Sequence, residues 1–435
     1  MRFYIETLGC PKNAVDSEVL ESLLQSHGHQ PASASQEADV VLVNTCGFID
    51  AAKEESISTI LAFAARKRNG QRLMAFGCLA ERFREELVRS IPELDQVLGV
   101  GQGQELLRIL DRQEGACKET SPVLRRPQQS ASAYLKIADG CDARCAFCSI
   151  PLIKGPARSR EPEEVVSEAC YLVAHGVKEI VLVAQDLTAY GLDLGRRDAL
   201  ADLIERVLEA APELRWLRLM YAYPNRVTPR LIQVMSAYPQ VCHYLDLPLQ
   251  HAHPAVLRRM NRPHDAAGTR EVIIALREAM PDIALRSGFI VGYPGESRHE
   301  FQTLLDFLEE MELDRVGFFT YSRESGTCAA GLPQQLSARV KRARFSRAMS
   351  HQERIARRIS ARQVGRVLDL LVEGDLRTSP NGRAGEMSHP LVCRSYRDAP
   401  EVDGLVFCAG EAHVGDMIRG RVVAAMDHDL LAVQE

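Results

Sequence analysis

Three cysteines each stand directly behind a short apolar run: Cys10 after FYIETLG, Cys46 after VVLVNT and Cys78 after MAFG. Helical patterns separate the runs. Strands are expected near Phe3–Leu8, Asp39–Asn44, Leu73–Phe76 and Gln96–Val100, with helices near Asp16–Ser26, Ala51–Lys67, Glu81–Ser90 and Gln104–Arg112. Such alternation reads as a parallel sheet with covering helices, a doubly wound α/β domain over residues 1–115. In a parallel sheet the carboxyl ends of the strands lie together. Three thiols from distant positions then converge, offering three ligands and one vacant metal position. A single cysteine behind a strand is ordinarily a small core residue; three in register point to a metal or a cluster.

A second, compact trio is Cys141-x-x-x-Cys145-x-x-Cys148, in the loop that leaves the strand Tyr134–Ala138 through Asp139-Gly140. Three thiolates in eight residues suit three irons of a 4Fe-4S cubane, leaving the fourth iron without a protein ligand. The alternatives are a zinc site or clustered buried thiols. Structural zinc wants a fourth Cys or His nearby, and none follows in this loop. The remaining cysteines, Cys117, Cys170, Cys242, Cys328, Cys393 and Cys408, share no ligand spacing and are read as incidental thiols.

At 435 residues the chain calls for two or three domains. Its opening, MRFYIETLGCPKN, has no signal-peptide pattern, and no apolar run is long enough for a membrane helix, so a cytoplasmic location with no membrane partner is expected. In that reducing compartment, twelve cysteines argue for ligands and free thiols over disulfides. A net charge of -5 excludes a surface built throughout for phosphates.

Further strands are expected near Glu179–Ala184, Trp216–Tyr221, Tyr244–Leu249, Ala284–Val291 and Arg315–Tyr321. Helix starts are marked by Pro162, by Thr228-Pro229 and by Ser297-x-x-Glu300, which fits a capping box. Six βα units suggest a partial (β/α)6 barrel over 127–363, with a doubly wound sheet as the rival. The polar stretch Glu119–Ala133 reads as a linker. A helical pattern over Leu336–Arg366 is crowded with arginines; it is either a solvated face paired with carboxylates or a phosphate-contacting one. Beyond it, 364–435 breaks into short β pieces (VLDLLVE, LVFCAG, MIRGRVVAAM, LLAVQ), expected as a small β-barrel.

The Cys141 loop, with Phe147 before its last cysteine, resembles the signature of the radical S-adenosylmethionine superfamily. That resemblance implies a partial barrel whose cluster binds S-adenosylmethionine at the open iron and yields a 5′-deoxyadenosyl radical. It also implies cofactor contacts in Gly288-Phe289-Ile290-Val291-Gly292-Tyr293-Pro294-Gly295-Glu296, so Gly288, Gly292 and Glu296 are candidate cofactor residues. Gln185, with Asp186 and Tyr190 beside it, is a further candidate lining residue. No side chain is assigned as a general base.

Over its full length the order of domains resembles the methylthiotransferase family. The resemblance implies a second 4Fe-4S cluster at Cys10, Cys46 and Cys78, a carboxyl-terminal TRAM domain, and insertion of a methylthio group at an unactivated C–H bond using two molecules of S-adenosylmethionine. Leu8-Gly9-Cys10-Pro11-Lys12-Asn13, Ala184-Gln185-Asp186, Tyr223-Pro224-Asn225-Arg226-Val227 and Asp398-Ala399-Pro400-Glu401-Val402-Asp403-Gly404 are similar to the branch that modifies the β-carbon of an aspartate in small-subunit ribosomal protein uS12. The other branch modifies adenosine in transfer RNA and typically carries a Gln-Met-Asn version of the first motif. Implied partners are uS12 or the assembled small subunit and a flavodoxin- or ferredoxin-type electron donor, with ribosomal RNA as a further contact. Lys154 departs from the family's usual Arg and Leu187 from its usual Thr; the segment Asp375–Pro390 looks longer than a minimal TRAM domain requires.

Overall fold

The computed structural model describes residues 1–111, 130–262, 266–376 and 390–435. Most of the expected linker, all of Cys117 and most of Asp375–Pro390 lie outside the described residues. Two compact units emerge from the packing: Met1–Arg126 with Tyr134–Glu164 and Ser322–Ala330, and Pro127–Ala133 with Val165–Tyr321 and Gly331–Glu435.

In the first unit, strands β1 (Arg2–Thr7), β2 (Gln30–Pro31), β3 (Val40–Thr45), β4 (Arg72–Gly77) and β5 (Gln96–Val97) form a parallel sheet in the order β2-β1-β3-β4-β5. Every residue of β3 is buried, as expected of a central strand covered on both faces. The two faces follow the strand period of two: Val40, Leu42 and Met74 pack with Leu24 and Leu106, whereas Val41, Val43 and Ala75 pack with Ile60 and Leu79. The expected Gln96–Val100 strand stops at Val97, and the chain turns at Gly101, whose φ of +74° lies outside the strand region. The expected helix Glu81–Ser90 is two pieces, Cys78–Arg82 and Arg84–Ser90. Two short antiparallel strands, β7 (Ala138–Asp139) and β8 (Arg158–Ser159), pin the base of the Cys141 loop.

The second unit is built on β6 (Ser132–Lys136, of which Ser132 and Ala133 belong here), β9 (Glu179–Val183), β10 (Trp216–Leu219), β11 (Val241–Asp246), β12 (Ala284–Val291) and β13 (Arg315–Thr320). These strands form one open sheet in the order β13-β12-β11-β10-β9-β6, consistent with the partial barrel. Strand β11 begins three residues earlier than expected and ends before Leu249, since Pro248 has no amide hydrogen to continue the ladder. The capping box is formed: Ser297 Oγ accepts from Glu300 N (3.1 Å), and Glu300 Oε2 accepts from Ser297 N (2.7 Å).

Strands β14 (Val367–Asp375), β15 (Pro390–Ser395), β16 (Val406–Ala409), β17 (Met417–Ala425) and β18 (Leu430–Gln434) close into a barrel in the order β14-β15-β16-β18-β17. Leu370, Val372, Leu391, Cys393, Val406 and Cys408 fill it. Burial pushes the thiol of Cys393 up to about 12 and that of Cys408 up to about 11, as befits thiols that serve as small core residues. Cys242 in β11 is likewise buried and raised to about 12.

The arginine-rich helix spans Ala338–Ala361, capped by Ser337. Several of its guanidinium groups pair with carboxylates of the chain: Arg344 with Glu296 (2.9 Å), Arg357 with Asp427 (2.7 Å) and Arg358 with Glu309 (2.6 Å); Arg362, just beyond, takes Glu312 (2.9 Å). Those arginines fit the carboxylate-paired reading of this helix.

Candidate cluster-binding site

The sheet order places the first trio at a particular point. From β1 the chain winds to β2 on one side and then returns to β3 and β4 on the other, so the switch in direction falls between β1 and β3, where ligands of doubly wound sheets bind. Cys10 follows β1, Cys46 follows β3 and Cys78 follows β4. Cys10 caps the helix Pro11–Ser26, whose first residue tolerates proline because its amide needs no helical partner. Cys46 and Cys78 are buried and Cys10 is half-buried.

Each cysteine has a glycine neighbour: Gly9, Gly47 and Gly77. At Gly9, with φ +94°, a Cβ would stand 2.8 Å from Cys46 Cβ and 3.0 Å from its Sγ. Only glycine lets the Cys10 turn approach Cys46 this closely. Asn13, 1% exposed, stitches the three turns together. Its Nδ2 donates to Leu8 O (2.9 Å) and Thr45 O (3.3 Å), and its Oδ1 accepts from Cys78 Sγ (3.7 Å). The Leu8–Asn13 motif alone does not reveal this role for Asn13; the signal for it is a position three residues after Cys10, in the first turn of a helix.

Burial pushes the Cys78 thiol up to about 12, and the Lys154 cation is the largest influence in the opposite direction. Burial also raises Cys46. Lys154 follows the short helix Ile150–Ile153, and its side chain is 3% exposed. Burial works against its charge, but Asp16 and Asp139 more than compensate and hold its pKa above the ordinary lysine range.

The second trio occupies the loop after β7, with all three thiols and Phe147 half-buried. The loop is internally tied by Cys141 N to Gly155 O (3.1 Å) and Cys148 N to Cys145 O (3.1 Å). Both trios belong to the first unit, and none of the described cysteines is in a disulfide. Among the described residues, no three His, Cys, Asp or Glu side chains are grouped to hold one metal ion. A cubane offers each thiolate a different iron, so its ligands stand farther apart than those sharing one ion. Three thiols that each follow one of three adjacent parallel strands, Cys10, Cys46 and Cys78, fit such a group.

The other candidates stand in the second unit. Gly288 lies in β12 beside Gly317 of β13, and a Cβ on it would meet only Phe319 Cε2, at 3.7 Å. No protein neighbour demands a glycine there; the bare backbone suits close approach of a ligand. Gly292, with φ +76°, has no room for a side chain against Lys341. Glu296 is 2% exposed; its Oε2 accepts from the amides of Gly292 and Tyr293 (3.1 Å to the latter) and pairs with Arg344. Glu296 therefore holds the glycine turn in shape, while its Oε1 lacks a hydrogen-bond partner and lies 3.6 Å from His251 Nε2. Gln185, at the end of β9, is half-buried; Asp186 beside it accepts from Thr188 Oγ1 (2.6 Å) and pairs with Arg226, and Tyr190 is 2% exposed.

Three family models match in the order the strands suggest: Uncharacterized protein family UPF0004 over residues 2–99, the Radical SAM superfamily over 135–308 and a TRAM domain over 364–434. A ribosomal protein uS12 methylthiotransferase RimO from Chloroflexus aurantiacus is 48% identical over 99% of both chains. Another of that name, from Geobacter sulfurreducens, is 43% identical over 98% of this chain and 96% of its own.

The chain belongs to the RimO family.

The RimO relatives carry the kinship across all three domains. Among solved structures, the radical S-adenosylmethionine methyltransferase TsrM from Kitasatospora setae superposes with a TM-score of 0.56 at 15% identity, covering 73% of this chain and 71% of its own. The cobalamin-dependent radical enzyme OxsB gives 0.52 at 14% identity, covering 81% and 56%. At those identities the likeness is one of fold.

Proposed function

We propose that this chain inserts a methylthio group at the β-carbon of an aspartate in ribosomal protein uS12, giving 3-methylthioaspartate. Cys141, Cys145 and Cys148 hold one 4Fe-4S cluster, and Cys10, Cys46 and Cys78 hold the second. The observation that carries this reading is the convergence of the Cys10 trio at the switch point of a sheet, in a chain whose full-length relatives are uS12 methylthiotransferases. When bound, the clusters and two molecules of S-adenosylmethionine supply the electron, the radical, the methyl group and the site that carries sulfur.

The chain's own residues bind and orient. Phe147 in the first unit and Gly288, Gly292, Glu296 and Gln185 in the second are the residues that would bind S-adenosylmethionine: Glu296 fixes the Gly292 turn, and the bare backbone at Gly288 suits a ligand's approach. Asn13 fixes the mutual placement of the auxiliary thiols. The functional division is into 1–115, 127–363 and 364–435. The partner is uS12, free or in the small subunit, in the cytoplasm, and a flavodoxin- or ferredoxin-type protein supplies electrons. Adenosine in transfer RNA is the runner-up substrate; the Leu8–Asn13 motif and the names of the full-length relatives favour the protein.

Mass spectrometry of ribosomes from a deletion strain tests the substrate. The expected result is a methylthio-sized mass deficit confined to uS12; loss of methylthioadenosine from transfer RNA, with uS12 unchanged, overturns the assignment. Iron analysis of a Cys10→Ala, Cys46→Ala, Cys78→Ala variant tests the second cluster: iron per chain should fall by about half, two equal clusters becoming one.

A further inference from the structure

Lys154 sits where the two cysteine trios are joined. Its Nζ is 3.0 Å from Asp16 Oδ2 and 3.3 Å from Asp139 Oδ2. Asp139 stands two residues ahead of Cys141, Lys154 six residues beyond Cys148, and Asp16 on the helix that Cys10 caps. Lys136 completes the set, bound to Asp16 and 3.1 Å from Asp139 Oδ2. Both ends of the Cys141 loop are thus fastened to the Cys10 helix by one ionic cluster. All of these groups lie in the first unit.

An exposed ion pair would carry little such information, because long charged side chains in water keep many geometries. Lys154 is different. A buried ammonium is costly to desolvate and is tolerated only in a geometry that keeps its carboxylates close. Such a cluster is a weak source of stability, and its best-attested use is to specify register between elements. A second tie spans the same gap. Ala329 N donates to Ala146 O (2.8 Å), inside the Cys141 loop, while Glu324 in the same segment pairs with Arg82 (2.8 Å) and Lys53 (2.9 Å) from the helices that follow Cys78 and Cys46.

We infer that Lys154 is a positioning residue: through Asp16 and Asp139 it sets the spacing between the two cysteine sites, and so the fraction of radical events that end in methylthio transfer. This rests on the two-cluster reading above. The ammonium of Lys154 serves both carboxylates at once, and a guanidinium, which keeps the charge and carries more donors, can take over part of that role.

The test compares full-length Lys154→Met and Lys154→Arg with wild type. The first readout is methylthiolated uS12 per 5′-deoxyadenosine formed. The second is hydrogen exchange of residues 139–154 in the cluster-free chain. The third is dipolar coupling between the two reduced clusters by electron paramagnetic resonance. In Lys154→Met the product ratio should fall about a hundredfold, the scale on which a misplacement of roughly 1 Å acts. Exchange protection of the loop should be lost and the coupling altered, with Lys154→Arg recovering a substantial part of all three. An unchanged ratio overturns the inference, as does loss of iron in proportion to activity, which would mark Lys154 as support for a single cluster. If wild type leaves uS12 unmodified, the proposed function fails, while exchange and coupling still judge the clasp.

Discussion

Glu179 and Arg218 form an ion pair, Oε1 to Nε at 2.7 Å, in which neither side chain reaches solvent. The carboxylate begins β9 and the guanidinium lies in β10, and the latter's Nη1 also donates to Tyr396 O (2.6 Å) next to β15. Arg394 of β15 closes on the same carboxylate, and Ser132 Oγ donates to it at 2.7 Å. Truncating one partner of such a set strands a buried charge. Arg218→Met is expected to destabilise by about 3–5 kcal/mol, read as a lower urea midpoint against wild type. A change below about 1 kcal/mol would show that water or Arg394 alone suffices.

The same carboxylate gives a pH dependence with a definite sign. Burial by itself raises a carboxyl pKa, but the guanidinium ions of Arg218 and Arg394 outweigh it and hold Glu179 at about 2. A group whose folded pKa is depressed binds its proton more readily when unfolded, so its contribution is intact above the ordinary carboxylate range and disappears as pH falls. The contribution is on the order of 3 kcal/mol, lost between roughly pH 4.5 and 2. Urea unfolding across that window should show the loss in wild type and a shallower slope in Glu179→Gln. Equal slopes would remove Glu179 from the account.

Gly9 offers a test of close approach at the auxiliary site. Gly9→Ala brings a Cβ against Cys46, on top of the strain of φ +94°. Gly28→Ala has similar strain, with φ +81°, but nothing within 4 Å of the added carbon. Reconstituted Gly9→Ala is expected to hold roughly half the iron of wild type, since one of two equal clusters is lost, whereas Gly28→Ala keeps the full amount. Equal iron in the two variants would mean that Gly9 is not needed for the approach.

The Cys141 trio stands out in the sequence because its three thiols lie within eight residues. The Cys10 trio was legible for a different reason: strand period and strand ends are local signals, and a parallel sheet converts them into proximity. What stayed hidden depended on pairings across long separations. Lys154 meets Asp16 over 138 residues, and no periodicity announces it. Strand β15 was missed because it begins at Pro390 behind a Gly/Ser-rich stretch and carries a buried arginine, Arg394, whose partner Glu179 comes from another domain of the sequence. Proline is compatible with the first position of a strand, but the sequence alone does not say which proline has that position.

The carboxylates that face the long arginine-rich helix have a consequence at long range. Arg344, Arg357, Arg358 and Arg362 are each matched by Glu296, Asp427, Glu309 or Glu312. Few condensed counterions would be displaced from a polyanion by guanidinium groups already neutralised in this way. An encounter made through these four arginines should accordingly depend only weakly on ionic strength.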